Sequence, residues 1–306
     1  MKNVIIMAGG ASSRMKRSLS QSQLSEDEKN LAEKVHKSLI PLGKSKKPLL
    51  FYLVSNAVAA GITKIYLVTS PENVAFKRWL ETWQKNNSFE GIKIQIAIQY
   101  LKKGYEKPLG TADAIEQTVD QYPELLKTTF IVCNGDNLYS KEAFQELIKP
   151  RSAPHALISY ARSGLKFDDE RIKKFAVMDI NELGYLNRII EKPNSETVER
   201  CRDASGEIRV SMNMFSFFGQ KLYPYLKNCT IHPIRKEKEL PEAIRLMNKA
   251  DSNQIICYSR KENILDLTSA EDIASNISEI RTITDGTYPM SNEDELVIIQ
   301  KAIQGN

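Results

Sequence analysis

The chain has 306 residues, of which 42% are hydrophobic and 26% charged, and its formal net charge is +5. This composition is typical of a globular protein with one large domain or two small ones, and the mild charge is unlike the strongly basic patch of a nucleic-acid-binding protein. No segment has the roughly 20 consecutive apolar residues of a membrane span, and the start lacks a signal-peptide pattern. We therefore expect a cytoplasmic protein with neither a membrane nor a nucleic-acid partner.

The first half of the chain alternates short apolar runs with amphipathic segments. The runs are predicted strands and the amphipathic segments are predicted helices. This alternation predicts crossover units and an α/β fold with a Rossmann-like, doubly wound, mainly parallel sheet. The predicted strands are 3–8, 64–70, 92–99 and 128–134, and the predicted helices are 48–61, 72–84 and 111–122.

After residue 150 the pattern changes to closely spaced strand-like segments. We expect these to be mixed or antiparallel additions to the same sheet, within one continuous domain over about 1–280. The C-terminal segment 281–306 is expected to be helical and could pack on the domain or form a contact in a homo-oligomer. The predicted strands are 156–161, 173–180, 185–191 and 207–218, with a turn at 181–184 and helices at 269–280 and 291–304.

A polar, glycine-free insertion at about 16–36 interrupts the alternation. Ser25, followed three residues later by Glu28, forms a capping-box signature that predicts a helix over about 26–37. Two interpretations remain open for this insertion. It is either a solvated surface segment or a mobile lid beside the glycine loop that precedes it.

The glycine loop follows the first strand, in the sequence "VIIMAGGASSRM" (residues 4–15). Glycines allow backbone N–H groups to approach phosphate oxygens, and Arg14 can add a charged contact. The dinucleotide fingerprint G-x-G-x-x-G is absent, and "LGKS" (42–45) is not a P-loop because Ser38 stands where that motif requires glycine. The loop alone therefore indicates phosphate binding without naming the class of protein.

Two further strand-to-loop junctions carry polar residues. Gly110 lies just before a predicted helix that Thr111 begins, and Asp136 follows an apolar strand in "NGDN". Ligands of doubly wound sheets bind beyond the carboxyl ends of the strands, so these junctions should converge on the crevice beside the glycine loop. An aspartate facing a phosphate loop is a candidate Mg²⁺ ligand.

Taken together, these residues resemble the sugar-1-phosphate nucleotidylyltransferases, also called NDP-sugar pyrophosphorylases. The resemblance rests on short segments in the family's order that cover about the first 270 residues. It implies the nucleotide-diphospho-sugar transferase fold, with a nucleotide-binding part over about 1–150 and a sugar-phosphate-binding part over about 151–280. The segments are "MAGGASSRM" (7–15), "HKSLIPLGKSKKPLL" (36–50), "PLGTADAI" (108–115), "NGDNLYS" (134–140), "GYLNRIIEKP" (184–193), "SMNMFSF" (211–217) and "ILDLTSAED" (264–272).

The resemblance also implies roles for individual residues. On the nucleotide side, the loop would line the nucleotide, Arg14 would hold the triphosphate and Lys37 would help to bind pyrophosphate. Asp136 and Asp266 would be the two Mg²⁺ ligands. The residues implied to bind the nucleotide are Ala8, Gly9, Gly10, Gln99, Gly110 and Thr111, and those implied to bind the sugar phosphate are Glu191, Lys192 and Asn213.

The sequence departs from the family pattern at several positions. His36 replaces the proline before Lys37, and the insertion at 16–36 is longer than usual. Ala176 and Asn213 stand where the family often has glycine. The last two changes lie on the sugar side, so they leave the nucleotidyl chemistry intact and the acceptor open.

The implied reaction is an in-line attack of a sugar 1-phosphate on the α-phosphorus of an NTP, with Mg²⁺ as cofactor and pyrophosphate as leaving group. UTP or dTTP with a glucose-type 1-phosphate is the favoured pair. The attacking group is already an anion, so no strong base is needed, which fits a chain with three histidines. Two alternatives remain: a transferase acting on another small phosphate such as phosphocholine, and a non-catalytic homologue that senses nucleotide sugars.

Overall fold

The computed structural model describes residues 2–10, 12–42, 47–85, 89 and 91–273. The predicted helix at 291–304, most of the one at 269–280 and the segment 281–306 lie outside the described residues. None of the helices in the described ranges is long and apolar enough to cross a membrane.

The first half contains the predicted alternation of strands and helices. Each strand and helix predicted there is present, with its ends shifted by up to two residues, except for the helix of the insertion, which ends three residues early. In chain order the elements are β1 (Asn3–Met7), α1 (Ser13–Ser18), α2 (Glu26–Lys34), β2 (Pro41–Leu42), β3 (Lys47–Pro48), α3 (Leu49–Ala59), β4 (Lys64–Thr69), α4 (Val74–Lys85), β5 (Lys93–Ile98), α5 (Thr111–Gln121), β6 (Thr129–Asn134), β7 (Asn137–Leu138) and α6 (Lys141–Ile148).

The second half adds strands and helices to the same sheet. Short 3-10 turns at Leu19–Gln21, Lys37–Leu39, Pro123–Lys127 and Arg162–Gly164 connect elements of both halves. The elements are β8 (His155–Ala161), α7 (Asp169–Ile172), β9 (Val177–Ile180), β10 (Leu186–Ile190), α8 (Ser195–Arg200), β11 (Arg209–Phe218), α9 (Gly219–Asn228), α10 (Leu240–Ala250), β12 (Ile255–Arg260) and β13 (Leu265–Asp266).

Across the described residues, one nine-stranded sheet joins both halves of the chain. Its order is β10-β9-β11-β6-β1-β4-β5, and β8 pairs with β11 and β12. β1, β4, β5 and β6 are parallel neighbours, whereas β11 runs antiparallel to β6, β8 and β9. The predicted Rossmann-like mixed sheet, mainly parallel in the first half with antiparallel additions in the second, is confirmed.

The second half differs from the expectation in three ways. β9 begins at Val177 and not at 173, because Asp168 accepts a hydrogen bond from the Arg171 N–H and starts α7 just before it. β12 is parallel to β8 and had no counterpart among the predicted strands. The helices α8, α9 and α10 were also not predicted, nor was α6 at the end of the first half. Helix α9 contains Pro224, and α10 has proline at its second residue.

Both faces of the central strands are buried. Along β1 the side chains of Val4 and Ile6 belong to one apolar cluster and that of Ile5 to the other. This division follows the two-residue period of a strand whose faces are both covered by helices. The loops at the strand ends are therefore the places where polar side chains can meet a ligand.

The insertion is anchored to the core at several points. The capping box of α2 is confirmed, because the Ser25 side chain and the Glu28 side chain each bond the other residue's backbone N–H. The helix ends at Lys34, three residues before the predicted end. Met15, Leu19, Ala32 and Val35 are buried in the core cluster.

Two buried histidines give the fold a predictable pH dependence. Burial lowers the pKa of His36 to about 4 and that of His155 to about 3. The unfolded chain binds these protons near pH 6.5, so the stabilising effect of the neutral rings is complete above that pH and is lost as the pH falls. We expect each buried ring to lower the free energy of unfolding by about 2 kcal/mol when the pH falls from 7.5 to 5.

Urea unfolding at both pH values measures this loss. The His155→Gln variant should lose about 2 kcal/mol less than the wild type between the two pH values. The His232→Gln variant serves as a control, because His232 lies in a half-buried loop. Equal losses in all three proteins would contradict the assignment.

Candidate functional site

A cleft opens at the carboxyl ends of the parallel strands, beside the glycine loop. It has a volume of about 370 Å³ and is lined by Gly9 and Gly10, by the start and end of the insertion and by the segment after β5. The loop is fixed by its neighbours, since the Ala8 N–H donates to the Val68 carbonyl at 2.8 Å. The cleft therefore lies where doubly wound sheets bind their ligands.

Gln99 reaches into this cleft from the end of β5. Its Nε2 donates to the Gly110 carbonyl at 3.0 Å and to Asp113 Oδ2 at 2.9 Å. Both acceptors are oxygens, so they fix the orientation of the amide. The Oε1 atom faces Gly9, at 3.3 Å from the position that a Cβ there would occupy. Gln99 thus presents an acceptor to the cleft.

Gly110 and Thr111 form the junction between this cleft and α5. Gly110 has a φ of 109°, and a Cβ there would lie 3.1 Å from the Lys238 carbonyl. The Thr111 hydroxyl accepts a hydrogen bond from the Leu240 N–H at 2.8 Å. The Lys238 ammonium forms a buried ion pair with Glu116. The loop before α10 therefore holds the start of α5 in place.

Lys37 and Asp136 form an ion pair next to the glycine loop. The Lys37 N–H donates to the Ser12 hydroxyl at 3.3 Å, which ties the end of the insertion to the loop. On the other side, a Cβ at Gly135 would lie 3.1 Å from both the Ala8 Cβ and the Met7 carbonyl. Glycine at 135 gives this close approach of the end of β6 to the end of β1 without crowding, and it places Asp136 directly beside the loop.

Asp266 lies against the Asp136 loop although the two are far apart in sequence. β13 pairs with β7 so that Asp266 is opposite Asn137, and the Leu267 N–H donates to the Asp136 carbonyl at 2.9 Å. Asp266 Oδ2 accepts hydrogen bonds from Arg171 at 2.6 Å and from Thr268 at 2.8 Å. Burial, assisted by the Asp136 charge and opposed by Arg171, raises the pKa of the Asp266 carboxyl.

The oxygen atoms of Asp136 and Asp266 suit a hard cation that also binds a ligand. Asp136 and Asp266 supply carboxylate oxygens, which Mg²⁺ prefers. Within the described ranges no group of three His, Cys, Asp or Glu side chains could hold a metal ion by itself. A Mg²⁺ ion bound here would complete its coordination with water and substrate phosphate oxygens, as is usual for this ion.

Two of the three residues predicted to bind the sugar phosphate are more exposed than the Asp136–Asp266 pair. Glu191 is exposed and forms a 2.7 Å ion pair with Arg235. Lys192 is exposed and Asn213 is half-buried, and both adopt a left-handed backbone, with φ of 49° and 56°. Such conformations in residues other than glycine are uncommon and cluster at functional sites.

Tyr139 connects the strand that carries Asn213 to the loop that carries Asp136. Its buried hydroxyl donates to the Met212 carbonyl at 2.7 Å and accepts from the Asn134 N–H at 3.3 Å. Asn213 is therefore positioned next to the loop that carries Asp136. No described contact joins Lys192 to that loop.

Arg14 is exposed on α1, and its guanidinium forms no hydrogen bond or ion pair with the described residues. Lys16, one turn from Ser12 on the same helix, lines the cleft instead. The i, i+4 spacing from Ser12 is the sequence signal that could have identified Lys16.

Two other residues of the site were missed. His36 lines the cleft beside Lys37, and its Nδ1 accepts from the Ser38 N–H at 3.2 Å. Arg171 joins Asp266 to Asp272 through ion pairs with both carboxylates. His36 was noted only as the replacement for the proline before Lys37, and Arg171 belongs to no motif. The contacts of both residues depend on tertiary packing.

Comparisons with known proteins place the chain in a family. The family model for nucleotidyl transferases matches residues 3–281. The small subunit of a chloroplastic glucose-1-phosphate adenylyltransferase from Triticum aestivum is 28% identical over 199 residues, which is 64% of this chain and 38% of that protein. The chain thus matches well under half the length of that relative.

Two solved structures share the fold. A Bacillus anthracis protein described as a glucose-1-phosphate thymidylyltransferase, in complex with sucrose, has a TM-score of 0.65 at 19% identity, covering 94% of this chain and 98% of its own. A UDP-glucose pyrophosphorylase in complex with UDP-glucose has a TM-score of 0.66 at 18% identity, covering 92% and 99%. With the family model spanning most of its length, the chain belongs to the nucleotidyl transferase family.

Proposed function

We propose that the protein is a sugar-1-phosphate nucleotidylyltransferase, which joins an NTP to a sugar 1-phosphate and releases pyrophosphate. The observation that carries the proposal is the meeting of Asp136, Asp266 and Lys37 beside the glycine loop. Two carboxylates and a lysine at the edge of a glycine loop are groups suited to holding a metal-bound triphosphate.

The chain's own residues would act mainly by positioning and charge. The glycine loop would direct backbone N–H groups at the phosphates, and Lys37 would leave Asp136 to stabilise charge on the departing pyrophosphate. Asp136 and Asp266 would hold Mg²⁺, which when bound offsets the repulsion between the two anionic substrates. Lys192 would orient the attacking phosphate so that it lies in line with the leaving group.

The orientation of Gln99 favours a base with an N–H group at its pairing edge. Both of its N–H donors are occupied, so the group it offers is the acceptor Oε1. Uracil and thymine carry a ring N–H donor at N3 and guanine carries one at N1, whereas cytosine N3 and adenine N1 are acceptors. This fits UTP or dTTP, with GTP the competing nucleotide and CTP disfavoured.

The test is pyrophosphate release with Mg²⁺ over a grid of UTP, dTTP, ATP, GTP and CTP against hexose 1-phosphates and phosphocholine. Activity with one hexose 1-phosphate would support the proposal and name both substrates. Activity with phosphocholine alone would move the acceptor to the first alternative. A folded protein that binds a nucleotide but gives no activity across the grid would favour the non-catalytic sensor.

Removing the Gln99 amide should alter base selection. We expect Gln99→Met to raise the KM for the preferred NTP about ten-fold with little change in kcat, and to reduce the preference over CTP, since the lost contact binds ground state and transition state alike. The matched control is Gln117→Met, because Gln117 also donates to Asp113 Oδ2, at 2.8 Å, but does not line the cleft. If both variants change KM equally, Gln99 acts only through Asp113.

A further inference from the structure

A second cavity lies at the opposite edge of the sheet, where β1 and β6 begin and β11 ends. It has a volume of about 450 Å³, and its polar lining includes Lys2, Asn3, Thr129, Lys149, Arg151 and Ser216. β1 separates it from the glycine loop by one strand length, about 15 Å. The two cavities share no lining residue, so this one is not part of the nucleotide site.

The lining of this cavity is positively charged. Lys2, Lys149 and Arg151 contribute to it, and no lining residue is Asp or Glu. Lys149 has a partner outside the cavity, since it pairs with Glu146 on α6 at 2.7 Å. Lys2 is exposed. Among the described residues, the charges of this lining that have no counter-ion are therefore those of Lys2 and Arg151.

Arg151 is the more informative of the two because it is half-buried. Its guanidinium donates to the Leu147 carbonyl at 2.8 Å and to the Ser216 hydroxyl at 2.9 Å, and both acceptors are neutral. No described carboxylate forms an ion pair with it, and its buried Nε has no partner among the described residues. Burial lowers the pKa of the guanidinium. A half-buried cation without a counter-ion is costly, and an anion in the cavity would relieve that cost.

Two neighbouring polar atoms also lack partners. Asn3, which lines the cavity, has a buried Oδ1 without a donor, and the buried His155 has an unpartnered Nε2. His155 Nδ1 accepts from the Phe218 N–H at 3.3 Å, which leaves the proton on Nε2 of a neutral ring. Within the described part of the chain, this edge of the sheet therefore lacks an anion for Arg151, a donor for Asn3 and an acceptor for His155.

We propose that this cavity binds a phosphate group, carried either by inorganic phosphate or by a small hydroxyl-bearing metabolite. A guanidinium is the side chain best suited to a phosphate, and the Lys2 ammonium adds charge at the rim. A cavity of this volume admits a phosphate ester several carbons long. The hydroxyl of such an ester would donate to Asn3 Oδ1, and inorganic phosphate would donate to it through the P–OH group that it carries near neutral pH.

The test follows the Arg151 Nε–H resonance of the full-length protein by ¹H–¹⁵N NMR at constant ionic strength. This signal is identified by its loss in Arg151→Gln. Inorganic phosphate and glycerol 3-phosphate are titrated in separate arms, and calorimetry measures the same affinities in the variants. Neither readout requires turnover, so the result is independent of whether the proposed transferase activity exists.

We expect saturable shifts of the Arg151 signal and an affinity at least ten-fold weaker in Arg151→Gln, from the loss of a charge-assisted hydrogen bond. Lys2→Gln, which changes an exposed residue and should not disturb folding, should weaken binding about three-fold. Arg200→Gln, at an exposed arginine elsewhere, should leave the affinity unchanged. Tighter binding of glycerol 3-phosphate would assign the cavity to a phosphorylated metabolite, and equal affinities would assign it to inorganic phosphate.

Three results would overturn the proposal. The first is an Arg151 signal that neither compound shifts at roughly 10 mM, a concentration well above the dissociation constants of metabolites. The second is a shift of the signal that chloride reproduces. The third is a binding affinity that Lys2→Gln leaves unchanged. The last result decides the matter even if Arg151→Gln fails to fold.

Discussion

The Asp136→Asn variant is expected to retain its fold and to lose activity by a factor on the order of 10² to 10⁴. Asparagine preserves the size of the side chain and one oxygen but removes the negative charge that would hold Mg²⁺ and that pairs with Lys37. Nucleotide binding measured without Mg²⁺ should remain, because no described hydrogen bond or ion pair joins the Asp136 carboxylate to Gln99 or to the glycine loop. The measurement is the initial rate of pyrophosphate release as a function of Mg²⁺ concentration.

Asp251→Asn is the matched control, since Asp251 is an exposed residue at the end of α10. If Asp136 and Asp266 hold one ion, the double variant should be hardly slower than the poorer of the two single variants. Multiplicative losses would show that the two carboxylates act independently. An Asp136→Asn enzyme with a normal rate would exclude the metal assignment.

The first half of the fold could be predicted because its elements carry local signals. The strictly alternating "IKIQIAIQ" became β5, and the capping box at Ser25 began α2. The loop residues Gly110 and Asp136 were found because they directly follow or precede a recognisable strand or helix. Topology then places the strand ends at one edge of the sheet without further information.

The parts that could not be predicted depend on contacts between distant segments. The β7–β13 pairing, which brings Asp266 to the Asp136 loop, involves two residues on each side, too short for any periodicity. Asp266 was therefore found through the family resemblance and not through its own sequence pattern. Arg171 belongs to a four-residue helix and reaches Asp266 across 95 positions of sequence. No local rule connects those positions.

Replacement of Gly110 by alanine is expected to lower the free energy of unfolding by about 2 to 4 kcal/mol. The φ of 109° and ψ of −165° at this residue are accessible essentially to glycine alone. The added Cβ would also press on the Lys238 carbonyl, which accepts the Ala112 N–H at 3.0 Å and so holds the first turn of α5. Backbone strain at residue 110 and displacement of the Lys238 carbonyl would therefore both disturb the first turn of α5.

Gly104→Ala separates these two causes. Gly104 also has a positive φ, of 88°, but a Cβ there would meet nothing within 4 Å, so its replacement should cost only about 1 kcal/mol of backbone strain. Urea unfolding compares the two variants directly. Because the Gly110 carbonyl accepts a hydrogen bond from Gln99, Gly110→Ala should also raise the KM for the NTP, whereas Gly104→Ala should not. Equal destabilisation with unchanged KM values would mean that the Lys238 loop yields to the new Cβ and that α5 does not set the position of Gln99.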